Sequence, residues 1–358
     1  MSLRVGILAP ISWRVPPRHY GPWERVVSLL TEGLVERGAD VTLFATADSM
    51  TAARLESVAP RPLNEAPSLD AKVWESLHIA NAFEHARDMR LDLLHNHYDF
   101  LPLAFSGLAD VPLVTTIHGF SSERIVPAFQ RYAGRSSYVS ISDADRHPSL
   151  RYLATVYHGI ELEEFTLNER PGDYLAFFGR IHPDKGVAEA IELARRASVR
   201  LVIAGIIHDD AYFAREVAPH VDGDRVRYVG SVGPDERNEI LGNALALVHL
   251  VNFAEPFGLS MIEAMACGTP VIARRRGSVP EVVEDGLTGF VIDDLDGALD
   301  VLERVPRLRR SAIRARCAER FSRDRMVSDY LDVYDAVLAR QQGGLVSSGS
   351  HSKETVER

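Results

Sequence analysis

The sequence predicts an α/β protein built from two doubly wound, Rossmann-like domains facing each other across a cleft. Three observations carry that expectation. The first 47 residues read as strand, helix and strand, the same alternation resumes in the second half, and a charged segment with Pro171 and Gly172 separates the two. A chain of 358 residues has room for both domains at roughly 100–200 residues each.

The elements follow in order. Val5 to Ala9 is an apolar run, and a loop containing Pro16, Pro17 and Gly21 leads into WERVVSLLTEGLVERG. There Val26, Val27, Leu30 and Leu34 recur at helical spacing, and Gly38 supplies the stop. VTLFAT is a second strand, so the three form a βαβ unit with parallel strands and a right-handed crossover. DLLHNH (92–97), PLVTTIHG (112–119), SSYVSIS (136–142) and ATVYHGI (154–160) are short and rich in β-branched or aromatic residues, as further parallel strands should be. Residues 161–173 lack apolar periodicity, which places the boundary between an amino-terminal domain, 1–168, and a carboxyl-terminal domain, 169–323. The second series runs through YLAFFG, a helix after Gly186, VRLVIAG, RVRYVG, a helix from Pro234, LALVHL, the helix SMIEAMACG, PVIARR and GFVI. A last helix over 324–341 carries Met326, Tyr330, Val333 and Val337 on one stripe, which suits a helix crossing back to the first domain. The Gly/Ser-rich residues 342–358 are expected to be disordered.

Composition removes several classes of function. A formal net charge of -10 opposes bulk nucleic-acid binding. The two cysteines, Cys267 and Cys317, lack metal-ligand spacing and are too few for a disulfide framework. No apolar run approaches the ~18 residues of a membrane span, and the start lacks the pattern of a secretory leader, so a cytoplasmic protein is expected. Acidic residues outnumber basic ones over 1–165, which argues against stable membrane association. Lysine occurs only as Lys72, Lys185 and Lys353, so arginine supplies the rest of the 40 basic residues and each lysine invites individual attention.

The stretch richest in chemistry is AEPFGLSMIEAMACGTPVIA, residues 254–273. Pro256 and Gly258 mark a tight loop opening a helix that Gly268 caps and Pro270 ends, which leaves the amides of Phe257, Gly258 and Leu259 free for a phosphate or a polar sugar. Glu255 lies in the loop; Glu263, eight residues on, lies inside an otherwise apolar helix, where a carboxylate needs partners or a cleft. The plainer alternative makes Glu255 a complement to the helix dipole and Glu263 part of a solvated face. In FFGRIHPDKG (177–186) a strand end presents Arg180, and a turn through Pro183 and Asp184 brings Lys185 beside it. An exposed cation pair on a surface turn is the alternative there. His118 ends TTIHG at a strand mouth, and His97 in HNHYD occupies a similar place. A histidine at a strand end is by itself more often a structural hydrogen-bonder than a catalytic group.

The run EPFGLSMIEAMACGTPV resembles the E-x7-E signature of retaining nucleotide-sugar glycosyltransferases of family 4, which adopt the two-domain GT-B fold. YGPWERVV, TTIHG, FFGRIHPDKG, VRYVGSV and GSVPEVVEDGLTGFVI follow in the family's order, covering the chain to about residue 340. The resemblance implies that Arg180 and Lys185 hold the donor diphosphate, with Gly21 approaching it, that Glu263 bonds the ribose, and that Glu255 and the 257–259 amides hold the transferred sugar. It implies that His118 contacts that sugar, that Val229 and Val232 flank the nucleobase, and that the leaving phosphate takes the acceptor proton on the retained face. The departing diphosphate then meets two cations and helix amides, so no divalent metal is obligatory and no cofactor is implied beyond the nucleotide sugar as co-substrate. Two departures stand out. Pro22 replaces the usual second glycine of the first loop, removing an amide donor, and His158 stands where the family has asparagine. The loop before Gly21, with Arg14, Arg18 and His19, serves equally as an acceptor wall, to which His97 is also assigned.

The expected activity is transfer of a hexose-type sugar from a UDP- or GDP-sugar to a small-molecule acceptor. SWRVPPRHYGPWERVVSLLTEGL resembles a bacterial subgroup associated with natural-product and antibiotic glycosylation. A nucleotide-sugar epimerase or phosphorylase on the same frame, a non-catalytic nucleotide-sugar binder and, more weakly, a nicotinamide dehydrogenase are the competing readings. A homodimer is left open.

Overall fold

The computed structural model describes residues 2–18, 20–119 and 122–348, with side chains to residue 341. In the first half, strands β1 (Arg4–Leu8), β2 (Asp40–Phe44), β3 (Arg54–Glu56), β4 (Leu93–Asn96), β5 (Leu113–Ile117), β6 (Ser136–Ser140) and β7 (Tyr152–Thr155) alternate with helices α1 (Pro22–Glu36), α2 (Ala71–Asp88) and α3 (Val126–Arg131). They form a seven-stranded parallel sheet in the order β3-β2-β1-β4-β5-β6-β7. The second half contributes β8 (Tyr174–Phe178), β9 (Arg200–Ala204), β10 (Val226–Gly230), β11 (Ala246–His249), β12 (Val271–Arg274) and β13 (Gly289–Ile292). Its six-stranded sheet is ordered β10-β9-β8-β11-β12-β13. Around it lie α4 (Val187–Ala197), α5 (Asp210–Tyr212), α6 (Pro234–Gly242), α7 (Leu259–Ala266), α8 (Val279–Val282), α9 (Leu295–Leu302) and α10 (Arg310–Phe321), and α11 (Arg323–Ser348) ends the described chain.

Central strands covered by helices on both faces are buried throughout, and β4 and β5 are buried at every position, with their polar His95, Asn96, Thr115 and Thr116 hydrogen-bonded to one another and to Tyr334 of α11. The stripe Val26, Val27, Leu30 and Leu34 of α1 packs on Val5 and Ile7 of β1. In each sheet the order reverses beside the strand that enters it first: β1 lies between β2 and β4, and β8 between β9 and β11. Loops leaving the carboxyl ends of strands at such a switch diverge and open a crevice. The loops after β1, β4 and β5 and those after β8 and β11 open there and carry most of the candidate site residues; Val229 and Val232 lie instead at the end of the edge strand β10, and Glu263 within α7.

The structure departs from the sequence reading in several places. The strand expected over 154–160 lies at Tyr152–Thr155, because residues 156–160 leave the sheet to cross between the halves. There Ile160 N–H donates to Phe321 O (2.9 Å) and Arg323 N–H to Ile160 O (2.9 Å), so both chain crossings run side by side. β3 was not anticipated, since three residues, RLE, form no pattern. Nor was α10, although Ile313, Cys317 and Phe321 recur every four residues and pack in the second core. Finally, the α11 backbone continues as helix to Ser348, into the stretch expected to be a tail; the rest of that stretch, 349–358, lies outside the described residues. Met326, Val327, Tyr330, Val333, Tyr334 and Val337 of α11 pack in the core of the first sheet. Among the described residues no helix is long and apolar enough to cross a membrane.

Candidate active site

The carboxyl-terminal mouth is built on two neighbouring strands. β8 runs out through Gly179 into Arg180, and a short helical turn, Pro183–Lys185, is closed by Gly186 in the left-handed conformation (φ 73°). β11 runs out to His249, and the following loop returns Glu255 to the same place. Lys185 Nζ lies 2.8 Å from Glu255 Oε2, and His249 Nε2 lies 3.1 Å from the same oxygen. Asn252 N–H donates to Asp184 O (2.7 Å), which ties the two loops together. Burial alone would push the Glu255 carboxyl up, but the hydrogen bond and charge of His249, joined by Lys185, hold it at about 2. Glu255 Oε1 accepts no hydrogen bond among the described residues, so it stays available to a sugar hydroxyl.

Arg180 has neither ion pair nor hydrogen bond among the described residues, an uncommitted fork-shaped donor beside the committed Lys185. Its charge lowers the Tyr20 hydroxyl of the other domain, although burial leaves that hydroxyl raised on balance. Gly258 precedes α7 at φ 88°, a left-handed conformation that side chains rarely adopt, and that backbone is why the loop needs glycine; a Cβ there would also crowd the Met261 side chain, 2.4 Å from its Cε. The N–H groups of Phe257, Gly258 and Leu259 find no acceptor among the described residues, while Ser278 Oγ donates to Phe257 O (2.9 Å) and fixes the loop. Glu263 points from α7 toward α6, where Arg237 Nη1 meets its Oε1 at 3.0 Å. Val229 falls at the irregularity that ends the β10–β9 pairing, and both it and Val232 are half-buried against the second core.

The amino-terminal mouth is neutral. His118 is buried between Trp23 (ring centroids 5.2 Å apart) and His158 (5.3 Å), and His158 in turn meets the Phe257 ring edge-on (4.9 Å). Four rings thus run from α1 of the first domain to the start of α7 in the second. His97 is fully buried; its Nδ1 lies 2.9 Å from His118 Nε2, so it supports His118. Behind it His95 is held by Tyr334 (2.7 Å) and Thr116 (2.8 Å). Burial depresses all of these imidazoles, His158 to about 3 and His95, His97 and His118 well below their ordinary value, so the group is uncharged at neutral pH. Among the described residues, His97 Nε2, His118 Nδ1 and His158 Nδ1 have no hydrogen-bond partner. Gly21 precedes α1 at φ 151°, with Pro22 as its first residue. Arg18 is ion-paired with Glu65 (2.6 Å) and Asp48 (3.3 Å), and no described contact joins it to His97 or His118. His19 lies outside the described residues. The domains touch where Gly119 passes the Glu255 loop: a Cβ on Gly119 would lie 2.5 Å from Pro256 Cβ.

Tyr20, Trp23, Glu24, Arg237 and His249 escaped the sequence reading. His249 carried a signal, a polar residue ending an apolar strand shortly before the motif. Trp23 and Tyr20 stood inside the quoted loop but had no visible partners.

Two parallel-sheet domains that meet at their strand mouths, one bearing cations, a paired carboxylate and open amides and the other a wall of neutral rings, define the architecture of a GT-B glycosyltransferase. A family model described as Glycosyltransferase Family 4 matches residues 23–152, and one described as Glycosyl transferases group 1 matches residues 161–310. The chain belongs to these GT-B glycosyltransferases. It is 27% identical to the D-inositol 3-phosphate glycosyltransferase of Pseudarthrobacter chlorophenolicus, covering 88% of this chain and 90% of that one. Its fold is similar to that of AviGT4, a glycosyltransferase involved in avilamycin A biosynthesis (TM-score 0.71, 22% identity, 94% and 98% of the two chains). It is also similar to Anabaena HepE in complex with UDP-glucose (TM-score 0.69, 17% identity, 93% and 100%).

Proposed function

We propose that this glycosyltransferase is retaining and metal-independent, and that it moves a hexose-type sugar from a UDP- or GDP-sugar to a small-molecule acceptor. The observation that carries the reading is the donor mouth: Arg180 uncommitted, Lys185 using one of its three donors on Glu255, and three open amides at the start of α7. That set suits a diphosphate whose negative charge grows as it leaves. Each such preorganised donor is worth on the order of 10²–10³ in turnover. Arg180 and Lys185 take the diphosphate, and Glu255 Oε1 and the 257–259 amides take the sugar. His118, fixed by Trp23, His158 and His97, borders the sugar from the opposite domain. The anomeric carbon–oxygen bond to phosphate breaks, the acceptor oxygen bonds to that carbon on the same face, and its proton passes to the departing phosphate oxygen. Donor chemistry of the UDP type is supported by the fold shared with the HepE complex with UDP-glucose, and a natural-product acceptor by the likeness to AviGT4.

The test is a panel of UDP- and GDP-sugars, scored by thermal stabilisation, slow donor hydrolysis and product formation with EDTA present. Stabilisation by one donor, its hydrolysis in EDTA and a product whose proton coupling reports the donor's anomeric configuration are expected. Inversion, or activity only with added divalent metal, would overturn the corresponding part.

A further inference from the structure

Glu263 does not stand alone in the cleft. Arg237 of α6 reaches its Oε1 at 3.0 Å, and the same guanidinium reaches Glu164 Oε2 at 3.3 Å from the segment joining the domains. Glu164 is also paired with Arg25 of α1, in the other domain. The Arg237 guanidinium lies 4.7 Å over the Phe165 ring, which fixes its plane, and its buried Nε–H has no acceptor among the described residues. Glu263 Oε2 has no hydrogen-bond partner among the described residues. Arg237 therefore holds one oxygen of the carboxylate and leaves the other open. Burial pushes the Glu263 carboxyl up, and the charge of Arg237, followed by that of Arg25, opposes the shift, so Arg237 also favours the ionised form that accepts hydroxyl protons.

We propose that Arg237 is a positioning residue for the donor's ribose: it orients Glu263 so that Oε2 accepts from the ribose hydroxyls. Glu164 and Arg25 anchor Arg237 from the linker and the first domain. The proposal rests on the reading of Glu263 as the ribose acceptor, and it predicts a loss confined to the hydroxyls. A carboxylate that can swing free, or that protonates, gives up charge-assisted bonds to those hydroxyls, but the diphosphate contacts at Arg180 and Lys185 are untouched.

The experiment is calorimetric titration of the full chain with UDP and GDP and with their 2′,3′-dideoxy forms. In the wild type, removing the hydroxyls should weaken binding about tenfold or more. Arg237→Gln should weaken the ribose form by about that factor and leave the dideoxy form unchanged, so that discrimination disappears. Glu263→Gln should do the same, and the double variant should be no worse than either single one. Arg237→Lys, which keeps a charge but cannot grip both glutamates, should be intermediate and covers the case in which the glutamine variant folds poorly. Equal weakening of both forms, or discrimination that survives in both Arg237 variants, overturns the proposal. A wild-type chain that binds neither diphosphate overturns the donor-site reading beneath it, and one that binds both forms equally overturns the ribose role of Glu263; each takes the proposal with it.

Discussion

Glu24 and Glu255 are buried to nearly the same degree, 3% and 6% exposed, each in the mouth of a parallel sheet, yet they titrate in opposite directions. Burial pushes the Glu24 carboxyl up to about 7, against which only its own N–H and that of Trp13 act. Glu255 meets the same cost of burial, but His249 and Lys185 hold it at about 2. The difference extends to the mouths as wholes. The first is lined by neutral imidazoles and a carboxyl poised to be uncharged; the second by a committed ion pair, an open guanidinium and open amides. A buried acid's charge state is thus set by the partner chemistry at each mouth and not by depth, and only the second mouth is suited to an anion.

The largest effect should come from removing the uncommitted cation. Arg180→Ala is expected to lower kcat/KM by about 10²–10³ while leaving cooperative unfolding unchanged, since Arg180 makes no ion pair among the described residues that folding would lose. Unaltered steady-state kinetics would refute the donor mouth as drawn. Lys185→Ala should cost a similar factor in turnover and destabilise the fold as well, because it strips Glu255 of a buried partner.

The two glutamates can be set against each other by urea unfolding across pH. Glu24, with its folded pKa raised, contributes fully below the ordinary carboxylate range and loses that contribution as pH rises through about 7. Glu24→Gln should therefore match the wild type near pH 4 and exceed it by up to about 3 kcal/mol above pH 7. Glu255, with its folded pKa depressed, contributes above the ordinary range and loses that as pH falls toward about 2. Glu255→Gln should be weaker by up to about 3 kcal/mol at pH 7, the deficit shrinking as the solution is acidified. Parallel pH profiles for the two variants would erase the contrast between the mouths.

The smallest effect belongs to the ring column. Trp23→Leu removes one stacking face from His118, worth roughly 0.5–1.5 kcal/mol, so kcat should fall by about tenfold at most. The donor KM should stay level, and Trp23→Phe should restore most of the loss. A shift in donor KM instead of kcat would place Trp23 on the donor side.

Much of the molecule was legible because its signals are local. The βαβ rhythm, the Gly258 loop with its open amides and the single lysine at the end of the Arg180 turn depend on period, glycine and proline, which act within a few residues. β3 was too short for any period to show, and the crossing at 156–160 looked like strand because its residues are as apolar as one. The site residues that escaped notice share a different cause. His249, Trp23 and Arg237 have ordinary local contexts, and their meaning lies wholly in partners far along the chain.

The sequence by itself determined the architecture, two parallel α/β units, and the residue types gathered at the donor mouth, since hydrophobic periodicity and backbone restrictions operate over short spans. Only the tertiary structure decided the charge states. The direction in which each buried group titrates depends on distances between residues such as Lys185 and Glu255, or Arg237 and Glu263, and folding alone sets those distances.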